Sequence, residues 1–273
     1  MKKVILLLLG LFLFSSFSFA SNQSLSDAVK NSSIYQKYKN GGMQSAQNEY
    51  KNLKENGTIQ EIDFLFMLQL NSQQKQMHRV ISTAKEGLEK FPNSAPIYTT
   101  LGMAYSEIKE YDKSIEYLSQ SIKIKPSEPA YYNRGQIYYY VKKDYSKAIS
   151  DFTNALNYIE EYSNENLKNK ALGDIYYSRA LCFGKKNNFN QAIEDYTEAI
   201  KYDNKNPDLY YNRAVAKLSK ANKSSGKMLN ELTASANKDF DMALDGYQKS
   251  NNKTMCNKIQ NYKQLQAVMS VIK

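Results

Sequence analysis

One amphipathic phrase recurs along this chain, and its spacing limits what the chain can fold into. "EYDKSIEYL" (Glu110–Leu118) returns as "DYSKAISDF" (Asp144–Phe152) and again as "NFNQAIEDY" (Asn188–Tyr196). A small or short apolar residue anchors each copy at Ala46, Val80, Ser114, Ala148, Ala192 and Ala236. The first three steps are 34 residues each and the last two are 44. Four residues after each anchor stands Tyr50, Ala84, Leu118, Phe152, Tyr196 or Phe240, and three further on a mostly small residue: Leu53, Gly87, Ser121, Ala155, Ala199 or Ala243. That spacing lies along one helix face, where small side chains let a neighbouring helix approach closely. A single helical hairpin cannot bury such a face, so neighbouring hairpins must stack and share one core. Most of the 23 tyrosines are therefore read as inter-helix packing.

The front half of each period repeats too. Residues 95–128 contain Tyr98-x-x-Leu101-Gly102-x-x-Tyr105, then Tyr111, Ser114, Leu118, Ser121 and Pro126. This resembles the tetratricopeptide repeat: W-x-x-L-G-x-x-Y, then A-x-x-x-F, then P, over 34 residues. "YYNRG" (Tyr131–Gly135) and "YYNRA" (Tyr210–Ala214) are nearly one phrase, and Pro92 and Pro126 close two units. The resemblance implies an all-α fold, a right-handed superhelical solenoid of about six helix-turn-helix units followed by a capping helix. The units fall at about 27–60, 61–94, 95–128, 129–162, 173–206 and 207–250, with insertions near 157–172 and 218–235 and the capping helix at 251–273. That last stretch sets Met255, Ile259, Tyr262, Leu265, Val268 and Ile272 in one apolar stripe.

The chain departs from the pattern in places. No Trp occurs, the first two units are degenerate, and Gly135 lies one residue early relative to Ala148. The first insertion is expected to lengthen the second helix of its unit and the loop after it. The second falls between paired helices, in "LSKANKSSGKMLNELTAS".

The N-terminus reads as a targeting element. Lys2 and Lys3 precede the apolar run Val4–Phe14, and Ser18-Phe19-Ala20 supplies small residues for cleavage. The run is shorter than the ~20 residues that span a bilayer, so a cleaved secretory signal at 1–20 is expected rather than an anchor. A short segment at 21–26 then leads into the repeats. Export to a bacterial periplasm or the extracellular space follows, without stable membrane insertion once the signal is removed. The formal charge of +10 is spread over scattered lysines without a run of five basic residues, and export argues against nucleic acid as a partner. Cys182 and Cys256 are expected to be unpaired, because solenoid units contact mainly their neighbours.

Nothing in the sequence is set up for catalysis. His78 is the lone histidine, and CxxC, HExxH, GxxxxGK and GxGxxG are all absent. Pairs such as Glu160–Glu161 and Glu194–Asp195 read as solvated helix faces. Neither cofactor nor metal is expected. The resemblance implies a non-catalytic protein-protein interaction module that binds a peptide or protein partner in a concave groove lined by the first helices. By the same resemblance the groove residues are Thr99, Met103, Asn133, Gln136, Tyr177, Leu181, Tyr211 and Val215. Asn133 and Asn212 match the central asparagine of the family's carboxylate clamp. Thr99, Met103, Asp174, Tyr177, Ser178 and Leu181 stand at the partner positions, so that clamp is not formed. The alternative is a structural scaffold of an envelope complex, acting through its convex face or its insertions.

Overall fold

The computed structural model describes residues 29–162 and 164–271, with side-chain surroundings through 264. The expected signal at 1–20 and the segment at 21–26 lie outside the described residues, as do the side chains of Leu265, Val268 and Ile272. The described residues are all-α, without a strand. Helices α1 (Ser33–Glu55), α2 (Glu61–Gln73), α3 (Met77–Lys90), α4 (Ala95–Glu107), α5 (Tyr111–Ile124), α6 (Glu128–Ile137) and α7 (Tyr145–Asn157) belong to a first compact unit ending at Ala171. The second unit begins at Leu172, within α8 (Glu165–Lys185), and contains α9 (Phe189–Tyr202), α10 (Pro207–Ala221), α11 (Gly226–Lys249) and α12 (Lys253–Val271). In each unit consecutive helices pack as pairs, α4 on α5 and α6 on α7 in the first, α10 on α11 in the second.

The anchors read from the sequence are the centres of these pairs. Ala46, Val80, Ser114, Ala148, Ala192 and Ala236 are all 0% exposed. Where serine replaces alanine, the hydroxyl is spent on backbone: Ser114 Oγ donates to Gly102 O (2.6 Å) and Ser121 Oγ to Ala95 O (2.9 Å). A buried hydroxyl satisfied in this way avoids the penalty of an unpaired polar group. Gly102 marks the closest approach, since a Cβ there would lie 2.7 Å from Leu118 Cγ. In the degenerate first repeat the chain turns within α1 at Gly42 (φ 67°, ψ −161°), a backbone region open essentially to glycine alone.

The turns inside four of the pairs share one backbone feature. Lys75, Lys109 and Lys143, spaced 34 residues apart, and Asn187 all adopt positive φ, between 55° and 66°. At the α4–α5 turn Lys109 N donates to Ser106 O (3.0 Å) and Glu110 N to Tyr105 O (2.9 Å). This Schellman arrangement closes the helix end and asks for a left-handed residue. Glycine adopts that conformation without a Cβ penalty. Lys109→Gly is therefore expected to stabilise the chain by about 0.5–1 kcal/mol. An unchanged or lowered denaturation midpoint would count against this account.

Gly135 stands one residue early because the first helix of its unit absorbs an extra residue. The turn Tyr138–Lys142 is π-helical, and Asp144 N reaches back six residues to Tyr138 O (2.9 Å). The first insertion differs from the sequence expectation. Helix α7 is not lengthened; it stops at Asn157. The extra residues instead form a 3₁₀ turn (Ile159–Glu161) and the start of α8, which has 21 residues against 13 in α4. Asn164 restarts the helix early by accepting a hydrogen bond from Leu167 N at 3.0 Å. The second insertion lies between the paired helices as expected and is mostly helix: α11 has 24 residues against 14 in α9. Lys217 Nζ ties this extension down, donating to Ser235 Oγ and Asp239 Oδ2, each at 2.8 Å.

Candidate functional site

The inner positions of the first helices differ between the two units. In the first unit, Thr99 and Met103 on α4 are 4% and 1% exposed, and Asn133 and Gln136 on α6 are 0% and 8% exposed. Thr99 Oγ1 lies 2.7 Å from Ser121 Oγ. Because Ser121 already donates to Ala95 O, the threonine donates and its hydroxyl is used inside the hairpin. Asn133 Nδ2 donates to Pro129 O in its own helix (2.7 Å). These four side chains are solvent-excluded, not displayed.

The second unit leaves more of the same face open. Tyr177 and Leu181 on α8, and Asn212 and Val215 on α10, are half-buried. The Tyr177 ring packs on Tyr196 (centroids 6.1 Å apart), and its hydroxyl accepts a hydrogen bond from Asn212 Nδ2 (3.3 Å). Tyr177 and Leu181 rest on one apolar cluster that includes Ala180, Tyr196, Leu209 and Ala216. Tyr211 belongs to the core instead. It is 8% exposed, its ring lies 5.9 Å from Phe240, and Lys258 of α12 sits 4.9 Å above the ring centroid. Tyr262 of α12 stacks on Phe240 (5.8 Å), and Ile259 is fully buried there. The structure thus brings Tyr177, Leu181, Asn212 and Val215 onto an accessible surface and places Tyr211 under the last helix.

A repeated ion pair went unread in the sequence. Arg134 Nε and Nη2 donate to Asp151 Oδ2 (2.9 Å) and Oδ1 (2.7 Å). Arg179 does the same to Asp195, with both bonds at 2.8 Å, and Arg213 to Asp239 at 2.9 and 2.6 Å. Each arginine also lies over the tyrosine three residues before it: Tyr131, Tyr176 and Tyr210. Arg134 Nη1 reaches Ser119 Oγ (2.8 Å) and Arg213 Nη1 reaches Thr197 Oγ1 (3.1 Å), so these two also grip the second helix of the preceding pair. The signal was present: Tyr-Tyr-x-Arg in the first helix, and Asp immediately before the large aromatic in the second. Asp195 is therefore buried and paired, contrary to the expectation of a solvated face. Burial pushes the Asp151 and Asp195 carboxyls up, against the pull of their arginines. In the 95–128 repeat, which lacks the arginine, Tyr98 and Tyr105 stack on Tyr117 instead.

Among the described residues no group of three or more His, Cys, Asp or Glu is arranged to hold a metal ion. Cys182 and Cys256 are free thiols, and burial pushes the Cys182 thiol up to about 12. His78 is exposed at the start of α3. No helix among the described residues is long and apolar enough to cross a membrane.

Comparison with known proteins agrees with this architecture. Residues 95–128 match the family model described as a tetratricopeptide repeat, and residues 173–220 match one described as a TPR repeat. Among curated proteins, serine/threonine-protein phosphatase 5 of Homo sapiens is 28% identical over 97 residues, 36% of this chain. The match spans only 17% of the phosphatase's own length. Among solved structures, YrrB, a TPR protein with an unusual peptide-binding site, is similar with a TM-score of 0.59 and 16% identity, covering 77% of this chain and 96% of its own. MamA is similar with a TM-score of 0.55 and 21% identity, covering 70% and 94%. PilF of Pseudomonas aeruginosa gives 0.51 and 13%, covering 75% and 91%. At these identities the solved structures establish the fold and nothing finer. The chain thus carries tetratricopeptide repeats at residues 95–128 and 173–220, where the phrase that opens at Glu110 and its copy at Asn188 stand, within an all-α TPR fold.

Proposed function

We propose that this protein is a non-catalytic interaction module of the bacterial cell envelope that binds a peptide or protein partner on the inner face of its second unit. Protein-protein interaction is what repeats of this family support, and YrrB, which shares the fold, has a peptide-binding site of its own. The observation that carries the reading is the open surface formed by Tyr177, Leu181, Asn212 and Val215, where the corresponding positions of the first unit are solvent-excluded. A ring held at its hydroxyl by Asn212 is pre-organised, so a partner that packs on it loses little additional freedom. Export rests on the leader-like N-terminus alone and is tested by the mass of the protein recovered from the envelope, which should begin at Ser21.

The binding surface is tested by affinity purification from an envelope fraction. Tyr177→Ala should weaken retention of the native partner about tenfold or more, the usual consequence of losing an aromatic anchor, while helicity stays unchanged. A second reading, a scaffold acting through its insertion, is favoured by Met228 and Met242 on α11, which are 54% and 52% exposed. Partner retention that ignores Tyr177→Ala but fails with Met228→Asp would establish that reading in place of the first.

A further inference from the structure

We propose that one end of the second unit docks on a bilayer surface rich in anionic headgroups, through lysines that two separate turns bring together. Lys185 and Lys186 stand at the α8–α9 turn, and Lys220, Lys223 and Lys227 at the α10–α11 turn. The two turns meet: Lys223 Nζ lies 4.9 Å above the ring centroid of Phe189, the first residue of α9. Lys185, Lys186, Lys223 and Lys227 are exposed, and Lys220 is half-buried. Lys220, Lys223 and Lys227 all fall within the second insertion, which a regular unit of this chain lacks, so the added residues bring positive charge to this end of the unit.

Little local charge opposes them. The chain has no Asp or Glu between Asp174 and Glu194, nor between Asp208 and Glu231. Glu231 lies 3.6 Å from Lys227, but both side chains are largely exposed, and such a surface pair holds its partners weakly. Deeper in the same hairpins, Asp195 is committed to Arg179, and Asp239 to Arg213 and Lys217. Met228, one residue past Lys227 on the first turn of α11, is 54% exposed. A bilayer surface answers both features at once: its headgroup phosphates take the ammonium groups, and its acyl boundary takes the thioether side chain. An acidic protein face accounts for the lysines but not for the exposed methionine beside them. Tyr177, Leu181, Asn212 and Val215 take no part, so this surface does not depend on the peptide reading above.

The test is co-sedimentation of the chain, as recovered from cells, with mixed phosphatidylglycerol–phosphatidylcholine vesicles and with vesicles of phosphatidylcholine alone. The parent should bind the anionic vesicles at low salt, leave them as salt screens the lysines, and ignore the neutral ones. Lys185→Gln combined with Lys220→Gln and Lys223→Gln should weaken binding about tenfold or more, and the same three sites changed to Arg should retain it. Lys205→Gln combined with Lys249→Gln and Lys253→Gln removes equal charge at the α9–α10 and α11–α12 connections and should leave binding nearly unchanged. Circular dichroism should show all three variants folded. Equal loss from the two glutamine triples, or parent binding indifferent to lipid charge, would overturn the proposal. So would vesicle binding untouched by the first triple while that triple loses a protein from the envelope fraction, which would assign this surface to an acidic protein instead.

Discussion

Asp151→Ala should destabilise the first unit by about 3–5 kcal/mol, far more than the loss of a surface ion pair. The Arg134 side chain is 18% exposed and the Asp151 side chain 5%, so truncating the acid leaves a guanidinium with few routes to water. Arg134 Nη1 would keep Ser119 Oγ, but both donors aimed at the carboxylate would lose their acceptor. The sign reverses when both charges go. Replacing the pair with apolar residues of similar volume, Arg134→Met with Asp151→Leu, should leave stability within about 1 kcal/mol of the parent, since desolvation of the two ions offsets most of their attraction. Urea denaturation of the single and double variants decides the matter. A double variant as unstable as Asp151→Ala would show that the pair contributes net stability rather than repeat register.

Phe240→Ala should cost a comparable amount, about 3–5 kcal/mol, as lost transfer energy plus an unfilled cavity. Phe240 is 0% exposed and is the aromatic on which both Tyr211 and Tyr262 rest. Its removal should release α12, because Tyr262 would lose its stacking partner and Ile259 part of the cluster that buries it. Amide exchange in α12 should then rise sharply while the first unit keeps its protection, as expected where each repeat is held mainly by its neighbours. Protection retained in α12 would mean that this helix docks through other contacts.

The two experiments probe features of unequal visibility in the sequence. Phe240 was marked in advance by its place four residues after Ala236, in a phase shared with Leu118, Phe152 and Tyr196. The ion pairs were not, although Arg134 and Arg213 stand inside a phrase already recognised as repeating. Periodicity reports which face of a helix is apolar; it does not report that a charge on that face meets its counter-charge 16 to 26 residues later. The groove residues show the same limit. The family pattern placed Thr99, Asn133, Tyr177 and Tyr211 at inner positions. Which of them meet solvent depended on neighbours the pattern does not encode: Ser121 takes the Thr99 hydroxyl, and α12 lies over Tyr211.

By itself the sequence determined the fold class, the 34-residue phase and the buried anchors, because each follows from side-chain size and helical periodicity within a short window. The tertiary structure decided where the extra residues went. Asn164 capped a new helix start, Lys217 pinned a lengthened α11, and a π turn took up the residue that set Gly135 out of phase. It also decided which inner side chains stay accessible. Both outcomes depend on contacts between residues far apart in the chain, and the physical reason is that burial and ion pairing are set by what lies opposite a residue, while periodicity reports only the helix that carries it.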